Sequence, residues 1–372
     1  MTMNVADDWR ERAARLADYL ASEGLDPAWT AVFARVPRHE FVNGGHAVDT
    51  DGVAPDAADW NREELLREAY ADQVVVTRYE TAGGEPVATS SASQPLIVAI
   101  MLRLLNVRDD SRVLEIGTGP GYNACLLCTR LGEQRVTSVE IQSDVVADAR
   151  DNLARVGFHP HLEVTDGTLG CPSRAPYDRV IATCGLSRIP EAWLDQLAPH
   201  ARVVAPMNFG GALAVLDRRP DGSLSGRFPR EAGFFMELRH PGDSWEPKPP
   251  GYLAVPPRVI KTDIDVDVLG DMEFRLWLEL AAPDVQVHPS RVADGRLVEV
   301  RISTPDTRID IEVDGAIRAV EYGKSLWRTV EGLAADWEAH GRPDRGRMGM
   351  TVTPERQWVW LDAEDSDVLW EL

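Results

Sequence analysis

Three glycines at alternate positions, Gly117, Gly119 and Gly121, follow an apolar run that carries an acid, Val113-Leu114-Glu115-Ile116. An apolar, helix-like segment from Asn123 to Leu131 comes next. Glycine reaches positive φ and lets the main chain come close to a ligand, so a strand, a glycine turn and a helix in this order make a cradle. A second strand, Arg135–Ile141, places Glu140 19 residues beyond Gly121, where a carboxylate can accept both hydroxyls of a ribose. A third, Leu162–Thr165, runs into Asp166-Gly167, and a fourth, Tyr177–Ala182, ends near Thr183. The chemistry implied is capture of a nucleoside-bearing ligand. A dinucleotide fits less well, because the third glycine of its fingerprint falls at Tyr122.

Other reactive sets are missing or incomplete. No Ser-His-Asp or Cys-His arrangement stands out for nucleophilic catalysis. Cys125 and Cys128 have metal-ligand spacing, but they fall just inside the helix after the glycine turn and read as buried thiols; no second pair completes a zinc site. His159-Pro160-His161 lies in a turn before a strand and lacks a third ligand nearby in sequence. No metal is expected.

The elements that must position these residues alternate between strand and helix from Ser111 to Pro206, the pattern of an α/β, doubly wound parallel sheet. Ligands in such sheets bind beyond the strand C-termini, so Glu115, Gly117, Glu140 and Asp166 are expected on one edge. Upstream, apolar spacing over Trp9–Val36 predicts two short helices, and 43–72, with a helix near Arg62–Tyr70, is expected to wrap the mouth of the site. Pro95 suits the first turn of a helix over Leu96–Leu105. Residues 1–240 thus form one unit, with 1–90 its helical N-terminal part and 91–240 its core, finished by Phe228–Leu238. A Pro/Gly-rich linker occupies 241–251. Beyond it, 252–372 reads as a smaller α+β domain: alternating strands over Val298–Ile302 and Ile309–Val313, a turn at Asp314-Gly315, a helix over Leu326–His340, and a strand at Gln357–Leu361.

Composition bounds the class. The 372 residues, 44% apolar and 27% charged, can build sizeable cores. No apolar run reaches the roughly 20 residues needed to span a bilayer, and the N-terminus lacks the cationic-then-apolar order of a secretory signal, so a cytoplasmic protein is expected. A net charge of −21 argues against a nucleic-acid partner, whose phosphates need cations.

The segment Leu114–Ala124 (Leu-Glu-Ile-Gly-Thr-Gly-Pro-Gly-Tyr-Asn-Ala) resembles the S-adenosylmethionine loop of the protein-L-isoaspartate O-methyltransferases. Val36-Pro37-Arg38-His39-Glu40-Phe41-Val42, Tyr70-Ala71-Asp72, Ser91–Ala99, Asp166–Gly170 and Ala175–Val180 are similar to that family in the same order. The resemblance spans Asp8 to His240 and implies a Rossmann-like class I methyltransferase that uses S-adenosyl-L-methionine and releases S-adenosyl-L-homocysteine. By it, Glu115 and the turn from Gly117 through Thr118 and Gly119 to Gly121 line the methionine part, with loop amides near its carboxylate. Glu140 takes the ribose, Asp166 and Gly167 the adenine edge, and Tyr122, Asn123 and Ile141 complete the cofactor-binding set. Ser93 sits at the family's active-site position as a hydroxyl that orients the accepting carboxylate, with Ser91 and Ser90 as lesser candidates; capping the following helix is the plain structural alternative. This chain has Ser91-Ala92-Ser93 where the family usually has Thr-Ile-Ser.

The implied partner is a peptide or protein carrying Asp or isoAsp, with no membrane involved. Methylation of that side chain leads to a succinimide (aspartimide), in repair of aged proteins or in maturation of ribosomally made peptides, where related enzymes carry such an extension. In either setting the extension is expected to bind the peptide or grip the catalytic unit. A dinucleotide-dependent oxidoreductase and a non-catalytic cofactor-binding adaptor are the alternatives from other classes.

Overall fold

The computed structural model describes residues 8–42, 44, 46–47, 60–82, 85–242, 256–261, 264–292, 295–314 and 316–372. Five strands run parallel in the order His161–Val164, Val136–Glu140, Val113–Ile116, Tyr177–Ala182, Leu197–Pro206. The three central strands are buried almost throughout, which explains their unbroken apolar runs: every residue of Val113–Ile116 is buried. The helices Tyr122–Leu131 and Ser143–Arg155 make crossovers between them, so the expected doubly wound arrangement holds. All these strands end on one edge, which brings the Gly117–Gly121 turn beside Glu140 and Asp166.

The N-terminal part is helical as expected, with helices Asp8–Ser22, Pro27–Phe33 and Arg62–Ala69. Helix Pro95–Leu105 carries Pro95 in its first turn. Its cap is not Ser93. Asp72 accepts from the Leu96 amide at 2.8 Å and from Gln94 Nε2 at 2.8 Å, which leaves the Ser93 side chain out of the capping role.

Two features depart from the expectation. The first is a long antiparallel hairpin, Val75–Ala82 with Glu85–Ala92, that runs directly into Ser93. Residues 43, 45 and 48–59 of the stretch expected to wrap the mouth lie outside the described residues, none of the described ones lines the cleft, and it is this hairpin that borders it.

The second departure concerns 252–372, expected as a separate domain. The parallel sheet continues through antiparallel strands Leu213–Arg218 and Leu224–Arg227, and the latter pairs with Met348–Val352. Gln357–Leu361 and Leu369–Glu371 follow, so the last three strands belong to a single ten-stranded sheet with the catalytic core. Leu224–Arg227 would otherwise be an exposed edge, and pairing satisfies its main chain. Only the part between forms its own sheet, five antiparallel strands that include Leu297–Thr304, Thr307–Asp314 and Ala316–Gly323. Helices Met272–Ala281 and Trp327–Ala339 belong to this part, and one hydrophobic core runs from Leu114 to Leu361 across the presumed boundary. The expected hairpin is formed, though Gly315 itself lies outside the described residues, as does most of the 241–251 linker.

Candidate active site

A cleft of ≈ 910 Å³, counting its open mouth, lies at the C-terminal edge of the parallel strands. One wall is the end of the hairpin, Ala88 to Ser93; the floor is Gly117–Pro120 with Tyr122 and Asn123; the far side is Met236–Arg239. Of the residues singled out from sequence, Ser91, Ser93, Gly117, Thr118, Gly119, Tyr122, Asn123, Glu140, Ile141 and Gly167 all line it, as does Ser90. Glu115, Gly121 and Asp166 stand behind that lining.

The turn needs its glycines. Gly117, Gly119 and Gly121 have φ of +90°, +50° and +94°. A Cβ on Gly117 would lie 3.0 Å from Thr183 Oγ1, and one on Gly119 3.3 Å from the Ser91 carbonyl. The turn is therefore wedged between the hairpin and the Tyr177–Ala182 strand end, and its shape is set before any ligand arrives.

The loop amides are already engaged. Gly117 N and Thr118 N both donate to Val139 O, at 2.9 and 3.2 Å, and Gly121 N donates to Thr118 O at 3.0 Å. Gly119 N donates to Glu140 Oε2 at 3.2 Å. Pro120 has no N–H. The expected amide contact to a ligand carboxylate is thus not offered by this loop. What the glycines supply is close approach of main chain and a fixed place for Glu140, whose Oε1 also accepts from Ile141 N at 3.0 Å.

Glu115 is wholly buried beneath the turn. Ser138 Oγ donates to its Oε2 at 2.5 Å and Asn123 Nδ2 to its Oε1 at 2.7 Å, while Thr118 Oγ1 lies 2.7 Å from Ser138 Oγ. Burial pushes its carboxyl up to about 7, against the opposing pull of the Ser138 and Asn123 hydrogen bonds. Asn123 is left with a buried Oδ1 that has no partner among the described residues, an acceptor in a cleft-lining residue. Asp166 turns into its own loop, accepting from Thr168 N at 2.9 Å and Thr168 Oγ1 at 2.8 Å, and His240 Nδ1 lies 3.5 Å from its other oxygen. Gly167, not Asp166, faces the cleft, and a Cβ there would lie 2.7 Å from Ile116 Cγ2.

Sequence reasoning missed the polar strap across the hairpin. Arg239 Nη2 donates to Thr89 O at 2.9 Å and to Gln142 Oε1 at 2.6 Å, and Gln142 Nε2 donates to Glu80 Oε1 at 2.5 Å. It missed as well that His161, Glu163 and Cys171 bring ligand-type atoms within 4.8 Å of one another. Two strand positions and a turn ten residues on cannot be joined from spacing alone. Cys171 is buried and its thiol lies 3.4 Å from Ser173 Oγ. Cys125 and Cys128 are buried free thiols, as expected, and burial raises both above the usual thiol range. No helix among the described residues is long and apolar enough to cross a membrane.

Comparison with known proteins bears on this geometry. Residues 46–236 match the model of the protein-L-isoaspartate(D-aspartate) O-methyltransferase family. A protein-L-isoaspartate O-methyltransferase of Methanoculleus marisnigri is 35% identical over 201 residues, 53% of this chain and 77% of the relative. One from Leptothrix cholodnii is 38% identical over 221 residues, 57% of this chain and 68% of the relative. A solved structure of a protein-L-isoaspartate O-methyltransferase aligns with a TM-score of 0.54 at 22% identity, covering 95% of this chain and 100% of its own. The likeness of fold thus extends past residue 240.

Proposed function

This chain belongs to the protein-L-isoaspartate(D-aspartate) O-methyltransferase family, and on that premise we propose that it methylates a side-chain carboxylate of Asp or isoAsp in a protein or peptide. One observation carries the reading: the Gly117–Pro120 turn, Glu140 and Ser93 all line one cleft.

The residues fit the family's cofactor. S-adenosylmethionine, when bound, supplies a methyl group on a positively charged sulfur. Glu140 would take the ribose hydroxyls; its carboxylate is held at the cleft lining by Gly119 N, which supports that role. Gly117 and Gly119 leave room for close approach, and the unpartnered Asn123 Oδ1 is an acceptor suited to an ammonium group. Ile141, Gly167 and Leu238 give an apolar end for a base.

Ser93 acts on the acceptor. A carboxylate is already deprotonated at neutral pH, so no general base is required, and the chain's task is to hold and align it. The Ser93 hydroxyl, which has no partner among the described residues, would donate to one carboxylate oxygen and leave the other free. Ser91 lines the same wall. Once the side chain is an ester, the next backbone nitrogen attacks its carbonyl, methanol leaves and a succinimide closes; that step needs no residue of this protein.

Two settings fit this reading. Repair of isoaspartyl proteins is supported by what the similar proteins are named. Maturation of a ribosomal peptide, in which the succinimide or its opened isomer is the product, is the second. Incubation with labelled S-adenosylmethionine and matched Asp and isoAsp peptides separates them. Label on the isoAsp peptide alone supports repair; an Asp peptide that gains a methyl ester or loses water on co-expression supports maturation. Retention of peptide with no transfer to either would leave only the adaptor. In the same assay Glu140→Ala should weaken S-adenosylhomocysteine binding by about tenfold or more, by loss of hydrogen bonds to a charged group. Ser93→Ala should keep that affinity and lower turnover, and unchanged turnover would remove Ser93 from the mechanism.

A further inference from the structure

The segment Val36–Val42 and the signature Tyr70-Ala71-Asp72 contribute nothing to the cleft lining, yet they meet directly behind it. Their meeting point is Arg38, which is 0% exposed and has no carboxylate at ion-pair distance among the described residues. Its guanidinium is held by main-chain carbonyls instead. Nη1 donates to Ala69 O at 2.7 Å and to Ala71 O at 3.4 Å. Nη2 donates to Gln73 O at 3.0 Å, Ala92 O at 3.2 Å and Ser93 O at 3.1 Å. The Arg38 Cζ also lies 5.5 Å from the ring centroid of Tyr122, which lines the cleft.

A buried charge with no carboxylate in direct ion-pair contact is costly, and a chain that needed only to fill this space would do so with an apolar side chain. What a guanidinium adds is a rigid planar fork, able to reach several diverging carbonyls at once; a lysine is a single point charge on a flexible stem. The carbonyls gathered here come from three places: the end of helix Arg62–Ala69, the entry to the hairpin, and the Ala92-Ser93 peptide at the hairpin's exit. Neighbouring contacts brace the same spot. His39 Nδ1 lies 2.9 Å from Tyr70 Oη, and Asp72 caps helix Pro95–Leu105.

We propose that Arg38 is a positioning residue for methyl acceptance: by holding the Ala92 and Ser93 carbonyls it fixes the Ser93 hydroxyl at the cleft wall opposite the glycine turn. The proposal rests on the role given above to Ser93. It assigns a function to a family-like motif that lies behind the cleft and not in its lining.

The test is a double-mutant cycle with Arg38→Lys and Ser93→Ala, assayed on one synthetic isoaspartyl peptide, with S-adenosylhomocysteine affinity measured in parallel. Arg38→Lys should lower kcat about tenfold or more with cofactor affinity within about threefold, because misalignment of reacting groups costs rate and not cofactor binding. The double variant should be no slower than the slower single variant. Independent, multiplying effects would overturn the proposal, as would an equal loss of cofactor affinity, the mark of general collapse. A fully active Ser93→Ala sinks the Ser93 reading itself and this proposal with it, so the two failures are told apart. Should Arg38→Lys not fold, ¹⁵N spectroscopy of the wild-type Arg38 side chain decides: separate Nη resonances support the carbonyl cage, and a single averaged resonance overturns it.

Discussion

At the scale of single residues, Glu115 best separates what a sequence tells from what it does not. Its position before the glycine turn marks it as a ligand contact, yet its carboxylate is turned inward onto Ser138 and Asn123. A strand-end acid that faces the ligand and one that holds the loop from below occupy the same place in the pattern. Only Ser138, which comes from the neighbouring strand, decides between them, and pairing of strands is not written in local spacing. Burial raises the Glu115 carboxyl from 4.5 to about 7 on folding. With the folded-state value above the unfolded one, protonation favours the native protein. That contribution is fully present below about pH 4.5 and is lost as pH rises through about 7. Glu115→Gln removes the ionisable group while keeping its shape. It should therefore stabilise the protein at pH 8 by up to about 3 kcal/mol, with little gain left at pH 5. Urea unfolding at the two pH values measures this, and a difference that does not change with pH would exclude the buried ionisation.

At the scale of elements, the hairpin Val75–Ala82/Glu85–Ala92 carries a local signal in its first strand and turn. Val75, Thr77, Tyr79 and Thr81 alternate with Val76, Arg78 and Glu80, and Gly83-Gly84 supplies a turn signal. The family-like motif drew attention to Ser93, whereas the strand leading to it is what carries that serine to the cleft. The hairpin is tied down over the helix Ser143–Arg155: Arg78 pairs with Asp144 and, at 2.7 Å, with Asp148. The acids lie in the first turns of that helix, just after Glu140 and Ile141, so the tie lies next in sequence to two residues of the cleft lining, proposed above to face the nucleoside. Exposed ion pairs are worth about 0–1 kcal/mol each and weaken with salt. Arg78→Ala should accordingly speed S-adenosylhomocysteine release by a few-fold at low salt, on the order of 1 kcal/mol, and leave it unchanged near 1 M salt. Stopped-flow dissociation is the direct measurement. An equal effect at both ionic strengths would mean that the arginine acts through packing and not as a charged latch.

At the scale of the whole molecule, sequence reasoning set 252–372 apart because its composition changes after a proline-rich stretch. Composition reports local chemistry, however, and strand pairing over more than a hundred residues is invisible to it. The pairing of Leu224–Arg227 with Met348–Val352 makes the C-terminal strands part of the catalytic sheet. Further contacts tie the extension to the cleft's own loops. The buried Gln357 side chain donates to Ile189 O at 2.7 Å and accepts from Ile189 N at 2.9 Å, holding the loop that follows Thr183 and Cys184. Glu279 Oε2 accepts from Gly210 N at 2.6 Å, and a Cβ on Gly210 would lie 2.4 Å from Leu276 Cα, so helix Met272–Ala281 packs on bare main chain. Gly211 O in turn accepts from Gly233 N at 2.9 Å, at the start of the segment that reaches the cleft as Met236–Arg239. A detached domain would unfold in its own step, at a temperature indifferent to a ligand bound elsewhere. A shared sheet and a continuous core leave no such seam. Calorimetry should therefore give one transition, with calorimetric and van't Hoff enthalpies in agreement, and S-adenosylhomocysteine should raise the whole of it. Two transitions, of which ligand moves only one, would return the extension to the status of a separate domain and remove the ground for treating it as a support of the active-site wall.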